Sequence, residues 1–304
     1  MKGRVLKSTG IWYEVLGDDG RVLQARVRGK LRLDDINETN PVAVGDWVDM
    51  QPEDKNAVIS AILPRQNHML RQSVKKKGQA HVLAANIDQV LLIATLKQPR
   101  TSLGFIDRFL VSAEAFRIPQ VIVFNKRDLL DESEMEEQAI LMQRYESLGV
   151  ITLALQATQD ELSELRKILQ RKVTLVAGHS GAGKSTLLNR LSDRIQQTTA
   201  NISSFSKKGT HTTTFAEMFR LDEDSFVIDT PGVKEWGLVD MQPQEISDYF
   251  PEMRSIRTNC KFGARCIHLH EPGCAVIAAV ENEQISLARY ESYLSMVAGE
   301  DNRK

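Results

Sequence analysis

Cysteine is scarce in this chain. There are three in 304 residues, and all fall between Cys260 and Cys274. An odd, clustered set does not suggest a disulfide framework; it points to a reducing compartment and a metal site. Long apolar runs are lacking as well. No stretch of about 18 apolar residues occurs, so no membrane partner is expected. The opening MKGRVLKSTG places no apolar core behind its positive residues, so a secretory signal peptide is not expected and a cytoplasmic location is. Charge of one sign is lacking too. The net charge is -1 at pH 7, so no global field draws the chain to nucleic acid, although a local basic segment can. Internal repeats and long low-complexity tracts are absent. What is present is ordinary for a soluble globular protein, with 42% hydrophobic and 26% charged residues and a length suited to two or three domains.

The patterning changes along the chain. Up to about residue 63, short alternating segments such as RVLKSTGIWYEVLGDDG, VGDWVDM and NAVISAIL suggest a small β-barrel, for which an OB-fold is one candidate. Residues 64–80 carry five basic residues and no acidic one, which reads as a basic linker or loop. From about residue 84 the runs QVLLIATL, PQVIVFN, VITLAL, KVTLVAG and SFVIDT suit buried parallel strands. Helical stretches at 106–117, 133–148 and 159–170 lie between them, so an α/β sheet covered on both faces is expected. After about residue 240 the strands stop. QPQEISDYFPEM reads as helical, and a last helix is expected over 283–297. The expected division is a barrel over 1–65, a linker over 66–83, an α/β domain over 84–238 and a mostly helical metal-binding domain over 239–304.

Two loops carry the chemistry. GHSGAGKST, residues Gly178, His179, Ser180, Gly181, Ala182, Gly183, Lys184, Ser185 and Thr186, fits G-x-x-x-x-G-K-[ST] between a strand and a helix. Its glycines let backbone N–H groups approach phosphates, Lys184 suits the β- and γ-phosphates, and Ser185 suits Mg²⁺. The tetrapeptide Asn125, Lys126, Arg127 and Asp128 ends the strand PQVIVFN, where ligands of such sheets bind. An Asp carboxylate there can accept hydrogen bonds from the ring N–H and amine of guanine, whereas adenine presents a mismatched edge. In DTPG, Asp229 suits the Mg²⁺ through water and the N–H of Gly232 can sense the γ-phosphate. GTHTTTF, residues 209–215, lies where a switch threonine belongs. Thr213 is the first choice as Mg²⁺ ligand and Thr212 the alternative. Val233 follows DTPG, where many GTPases carry the glutamine that orients water, and His211 is a candidate for that task.

CKFGARCIHLHEPGC closes the inventory. Cys260, Cys266, His268 and Cys274 form a Cys₃His set suited to tetrahedral, structural Zn²⁺, with His270 the alternative fourth ligand.

Together these motifs resemble the ribosome small-subunit-dependent GTPase A family of circularly permuted bacterial GTPases. The resemblance rests on NKRD ahead of GHSGAGKST, then GTHTTT, DTPGVKEWG and the cluster ending HEPGC, and it spans nearly the whole chain. It implies an N-terminal OB-fold, a circularly permuted P-loop GTPase domain and a C-terminal zinc domain. It also implies binding of GTP and GDP, rRNA contact, and a role in late maturation of the small ribosomal subunit with GTP hydrolysis stimulated by that subunit. A monomer is the expected state. Two features depart from the family pattern: five residues separate the first two cysteines where four are usual, and Gln156–Ala157 stands in place of a serine–alanine pair beside the base. Joining old termini and cutting elsewhere preserves a fold. Here it makes the segment after DTPG lead into the metal domain, so a clamp is expected in which barrel and zinc domain grip RNA under nucleotide control. Trp12, Tyr13, Trp47 and a cluster of Arg21, Arg26, Arg28, Lys30 and Arg32 are available on the barrel, against ten acidic and nine basic side chains over residues 1–63. A small-molecule P-loop kinase and a guanine-nucleotide module with negligible hydrolysis are the competing readings.

Overall fold

The computed structural model describes residues 1–27, 41–53, 56–72, 80–192, 216–230, 238 and 241–299. The N-terminal strands β1 (Lys2–Ser8), β2 (Trp12–Gly17), β3 (Val22–Val27), β4 (Trp47–Glu53) and β5 (Asn56–Ile62) follow the order β1-β2-β3-β5-β4. A further β1–β4 pairing closes the ring into an OB-like barrel. Alternate residues point inward, so Val5, Tyr13, Val15, Ala25, Val48, Met50 and Ile59 fill the interior. Gly3 leaves room for this packing, because an added Cβ would lie 2.5 Å from Met50 Cε.

Strands β6 (His68–Gln72) and β7 (Ala80–Ala85), which fall in the segment read as a linker, pair as an antiparallel hairpin. Around them the barrel is seated firmly on the centre of the molecule. Asp46 is 0% exposed and accepts from Ala43 N at 2.7 Å and from Arg65 Nε and Nη2 at 2.8 and 2.9 Å. Asn86 Nδ2 donates to Gly45 O at 3.0 Å, and Gln66 N donates to Asn86 Oδ1 at 2.9 Å. Gly45 has φ +91°, and a Cβ there would fall 2.1 Å from Ala85 O. Only glycine allows that approach.

The central sheet runs β10-β9-β8-β11-β13-β12, from β8 (Gln89–Ala94), β9 (Gln120–Asn125), β10 (Ile151–Leu155), β11 (Val173–Gly178), β12 (Glu217–Arg220) and β13 (Phe226–Asp229). The five apolar runs picked out in the sequence pair in parallel, and β12 is antiparallel at the edge. The period of two sorts their side chains. Val90 and Leu92 pack with α1 (Leu103–Glu114) and α2 (Glu132–Glu146), while Leu91 and Ile93 pack with α3 (Ser163–Leu169) and α4 (Lys184–Leu191). Both faces are thereby covered, as parallel sheets require. One register pair, Lys7 with Glu217, joins β12 to the barrel, and the two side chains form an ion pair at 2.9 Å.

The C-terminal region is helical: α5 (Pro243–Ile246), α6 (Pro251–Ile256), α7 (Ala275–Glu281) and α8 (Leu287–Val297). The last helix begins later than the periodicity implies, because Glu283 takes a left-handed φ of 58° after α7 ends. Its core of Ile246, Phe250, Met253, Tyr293 and Met296 also takes in Val111 from α1. None of the helices is long and apolar enough to cross a membrane, among the described residues.

Candidate nucleotide site and cysteine–histidine cluster

The phosphate loop leaves the end of β11 and enters α4. Its glycines are closely approached by backbone on one side and by a side chain on the other. A Cβ at Gly178 would lie 2.7 Å from Ile93 O, and one at Gly183 would lie 2.2 Å from Asn125 Nδ2. Gly181 and Gly183 have φ of +85° and +97°, a conformation costly for any other residue. Ala182 N donates to His179 O at 3.1 Å and closes the turn. Ser180, Ser185 and Thr186 are exposed at the mouth of the loop. The ammonium of Lys184 meets the carboxylate of Asp229, so the loop lysine and the DTPG acid face one site. Thr230 is buried, and its hydroxyl donates to Val176 O at 2.9 Å, holding the end of β13 against β11.

The base-side loop is brought to the phosphate loop by Asn125, which is 3% exposed. Its Nδ2 donates to Ala182 O at 2.8 Å, and its Oδ1 accepts from Ala157 N at 2.9 Å. One side chain thus ties together three segments separated in sequence. Lys126 has φ 62° and its ammonium donates to Gln98 O. Arg127 pairs with Asp160 at 3.1 Å, and Gln156 N donates to Asp160 Oδ2 at 2.7 Å. Gln156 therefore serves the loop through its backbone. Asp128 is exposed in the single turn that follows β9. Sequence reading missed Arg190, whose Nη1 donates to Ala157 O at 2.7 Å and braces the same loop from α4. No local pattern signals that contact.

The structure also gathers Cys260, Cys266, His268 and Cys274, whose ligand atoms all lie within 4.8 Å of one another. Cys260 Sγ is 3.8 Å from Cys274 Sγ and 3.6 Å from His268 Nδ1. A tetrahedron with metal–sulfur bonds of about 2.3 Å has edges of about 3.8 Å, so these donors fit a four-coordinate ion. His270 lies exposed, whereas His268 is buried with φ 54°. Supporting contacts fix the loop: His268 Nε2 lies 3.2 Å from Ser247 Oγ, Tyr290 OH donates to His268 O at 2.6 Å, and Tyr293 OH donates to Ile267 O at 2.7 Å. Glu271 accepts from the N–H groups of Ile267, Leu269 and His270. Burial, reinforced by the charge of Arg257, lowers the His268 pKa and favours the neutral, ligating imidazole. Burial pushes the Cys266 thiol up to about 12. A cation among the sulfurs offsets that penalty by stabilising thiolate.

The family model described as RsgA GTPase matches residues 62–239, and that described as RsgA N-terminal domain matches residues 2–59. The chain belongs to the RsgA GTPase family. The small ribosomal subunit biogenesis GTPase RsgA of Cytophaga hutchinsonii is 50% identical over 308 residues, covering 100% of each chain. Among solved structures, YjeQ from Thermotoga maritima is 33% identical with a TM-score of 0.76, over 98% of this chain and 97% of that one. YloQ, described as a circularly permuted GTPase, is 30% identical with a TM-score of 0.73, over 98% and 93%.

In this RsgA-family chain the central fold is a circularly permuted GTPase fold, flanked by the OB-like barrel and by helices bearing a Cys₃His cluster able to hold a metal ion. The reversed order of base and phosphate loops is absorbed by the sheet, where β9 and β11 flank β8 regardless of which comes first. His211, Thr212, Thr213, Gly232 and Val233 lie outside the described residues, as do Arg28, Lys30 and Arg32.

Proposed function

We propose that the chain binds the small ribosomal subunit and its rRNA late in maturation, and that it hydrolyses GTP to GDP and phosphate with nucleotide-controlled release. Membership of the RsgA GTPase family supports the hydrolase activity. The observation that carries the reading is the Asn125 clasp, which joins base loop and phosphate loop into one pocket although they occur in reversed order. In this reading Asp128 reads the guanine edge, with Lys126 and Arg127 shaping its loop. The N–H groups of Gly178 through Thr186 cradle the phosphates, and Lys184 neutralises charge on the transferred group. Ser185, Asp229 and Thr213 offer oxygen donors suited to Mg²⁺, which when bound supplies charge stabilisation at the phosphates. The Gly232 N–H senses the γ-phosphate, and His211 positions the attacking water in place of a glutamine. Cys260, Cys266, His268 and Cys274 hold a structural Zn²⁺, the ion their sulfur-rich, four-donor set favours. The protein acts as a cytoplasmic monomer.

The test is phosphate release from GTP and from ATP, with and without small subunits. Release from GTP, increased by subunits, is expected. Equal use of ATP would defeat the guanine pocket, and no release in any condition would favour a nucleotide-binding module, the alternative that Val233 supports. Asp128→Asn should lower the preference for guanine by about tenfold or more, the value of one hydrogen bond to a charged group. An unchanged preference would remove Asp128 from that role.

A further inference from the structure

The helix α1 lies between the phosphate loop and the C-terminal helices. At its first turn the ring of Phe105 packs on the imidazole of His179, with centroids 3.9 Å apart and planes at 35°. Phe105 is 5% exposed, and its N–H is held by the capping Ser102. Two residues later the helix has turned about 200°, so Asp107 faces away from the loop and is ion-paired to Arg289 of α8 at 2.6 Å. On that side Val111 joins the C-terminal core, and Arg108 Nη2 donates to Ser295 Oγ at 3.3 Å. The helix is thus pinned from behind, and Phe105 cannot retreat without breaking those contacts. His179, in turn, is the second residue of the phosphate loop, and its carbonyl closes the turn to Ala182. Burial lowers the His179 pKa, which keeps the stacked imidazole neutral.

We propose that Phe105 is a positioning residue for nucleotide phosphates: through His179 it sets where the phosphate loop lies. The inference rests on the nucleotide-site reading above and adds to it a residue outside both sequence motifs. Aromatic pairs of this kind contribute on the order of a two- to tenfold change in an equilibrium.

The test uses the full chain. Fluorescent GDP is titrated into wild type, Phe105→Leu, His179→Gln and the double variant, giving dissociation constant and binding stoichiometry separately, and ADP is run beside it. Each single variant should weaken GDP binding by about two- to tenfold at full stoichiometry, with the preference for GDP over ADP retained. The double variant should be no weaker than the weaker single one, because both remove one contact. His179→Gln lies on a half-exposed loop and keeps the test open if Phe105→Leu does not fold. Unchanged dissociation constants would overturn the proposal. So would additive losses in the double variant, or a fall in stoichiometry alone, which is what a merely structural role produces. Wild type binding ADP as well as GDP would instead defeat the reading on which the proposal rests.

Discussion

Replacing Arg289 by methionine tests how the C-terminal helices are held to the GTPase fold. The guanidinium is 3% exposed and lies 2.6 Å from Asp107 Oδ1, 2.7 Å from Glu252 Oε1 and 4.5 Å from the centre of the Phe250 ring. Burial alone would lower its pKa, yet Asp107 and Glu252 raise it above the usual arginine value, so it is charged throughout the accessible pH range. In Arg289→Met the apolar volume is roughly kept, but two carboxylates lose their cation. Asp107 is 1% exposed, and the Tyr145 hydroxyl, which donates to it at 3.0 Å, is neutral and cannot replace the lost cation. Breaking a buried pair by removing one member costs about 3–5 kcal/mol, mostly through the charge left behind. The chain has several cores, so a single unfolding free energy is not defined. Hydrogen exchange of peptides covering Leu103–Glu114 and Leu287–Val297 is therefore the suitable assay. Exchange there should quicken by about a hundred- to a few thousandfold, while barrel peptides are unaffected. Adding Asp107→Leu and Glu252→Leu should restore most of the protection, because an apolar replacement of a whole buried ionic group is close to neutral. Unchanged exchange in Arg289→Met would refute the reasoning. A triple variant as weak as the single one would show that shape, and not charge, holds this junction.

Four further outcomes are expected. Asn125→Ala leaves Ala182 O and Ala157 N without their partner and should weaken GDP binding by about ten- to a hundredfold in a fluorescence titration. Cys266→Ser should lose most of the bound metal by elemental analysis and reduce C-terminal helicity, since ion binding and folding of such a site are coupled. His211→Ala should slow GTP turnover with nucleotide affinity unchanged; a normal rate would remove the histidine from the water-positioning role. Burial, then the Asp107 carboxylate, holds the Tyr145 phenol well above its usual value of 10.0. Folding therefore favours the neutral phenol, so its contribution is full below pH about 10 and falls as the pH rises through and beyond that value. Tyr145→Phe should flatten this part of the curve when urea midpoints at pH about 9 and about 11 are compared.

Much of the site was legible because its signals are local. The phosphate loop is nine consecutive residues whose glycines, lysine and serine each answer a geometric need of a strand–turn–helix. The five parallel strands are contiguous apolar runs, because a strand buried on both faces has no polar side to alternate with. Other features were hidden. The basic stretch around residue 75 disguised the strands β6 and β7 that flank it, the second of which bridges to Val44 through Ala84. His268 and His270 stand two positions apart in one loop, and composition could not choose between them. The left-handed turn at His268 and the tyrosine contacts to the carbonyls of His268 and Ile267 put one ring among the sulfurs and leave the other exposed.

By itself, then, the sequence pointed to the kind of chemistry: a G-x-x-x-x-G-K-[ST] loop, the tetrapeptide NKRD and a sulfur-rich donor set, each encoded within a few consecutive residues. The tertiary structure decided how those parts are assembled. Asn125 meets Ala182 across 57 positions, and Arg289 meets Asp107 across 182. Such pairings leave no periodicity to read, because they depend on which faces of sheet and helices end up packed together, and that is settled by the core as a whole.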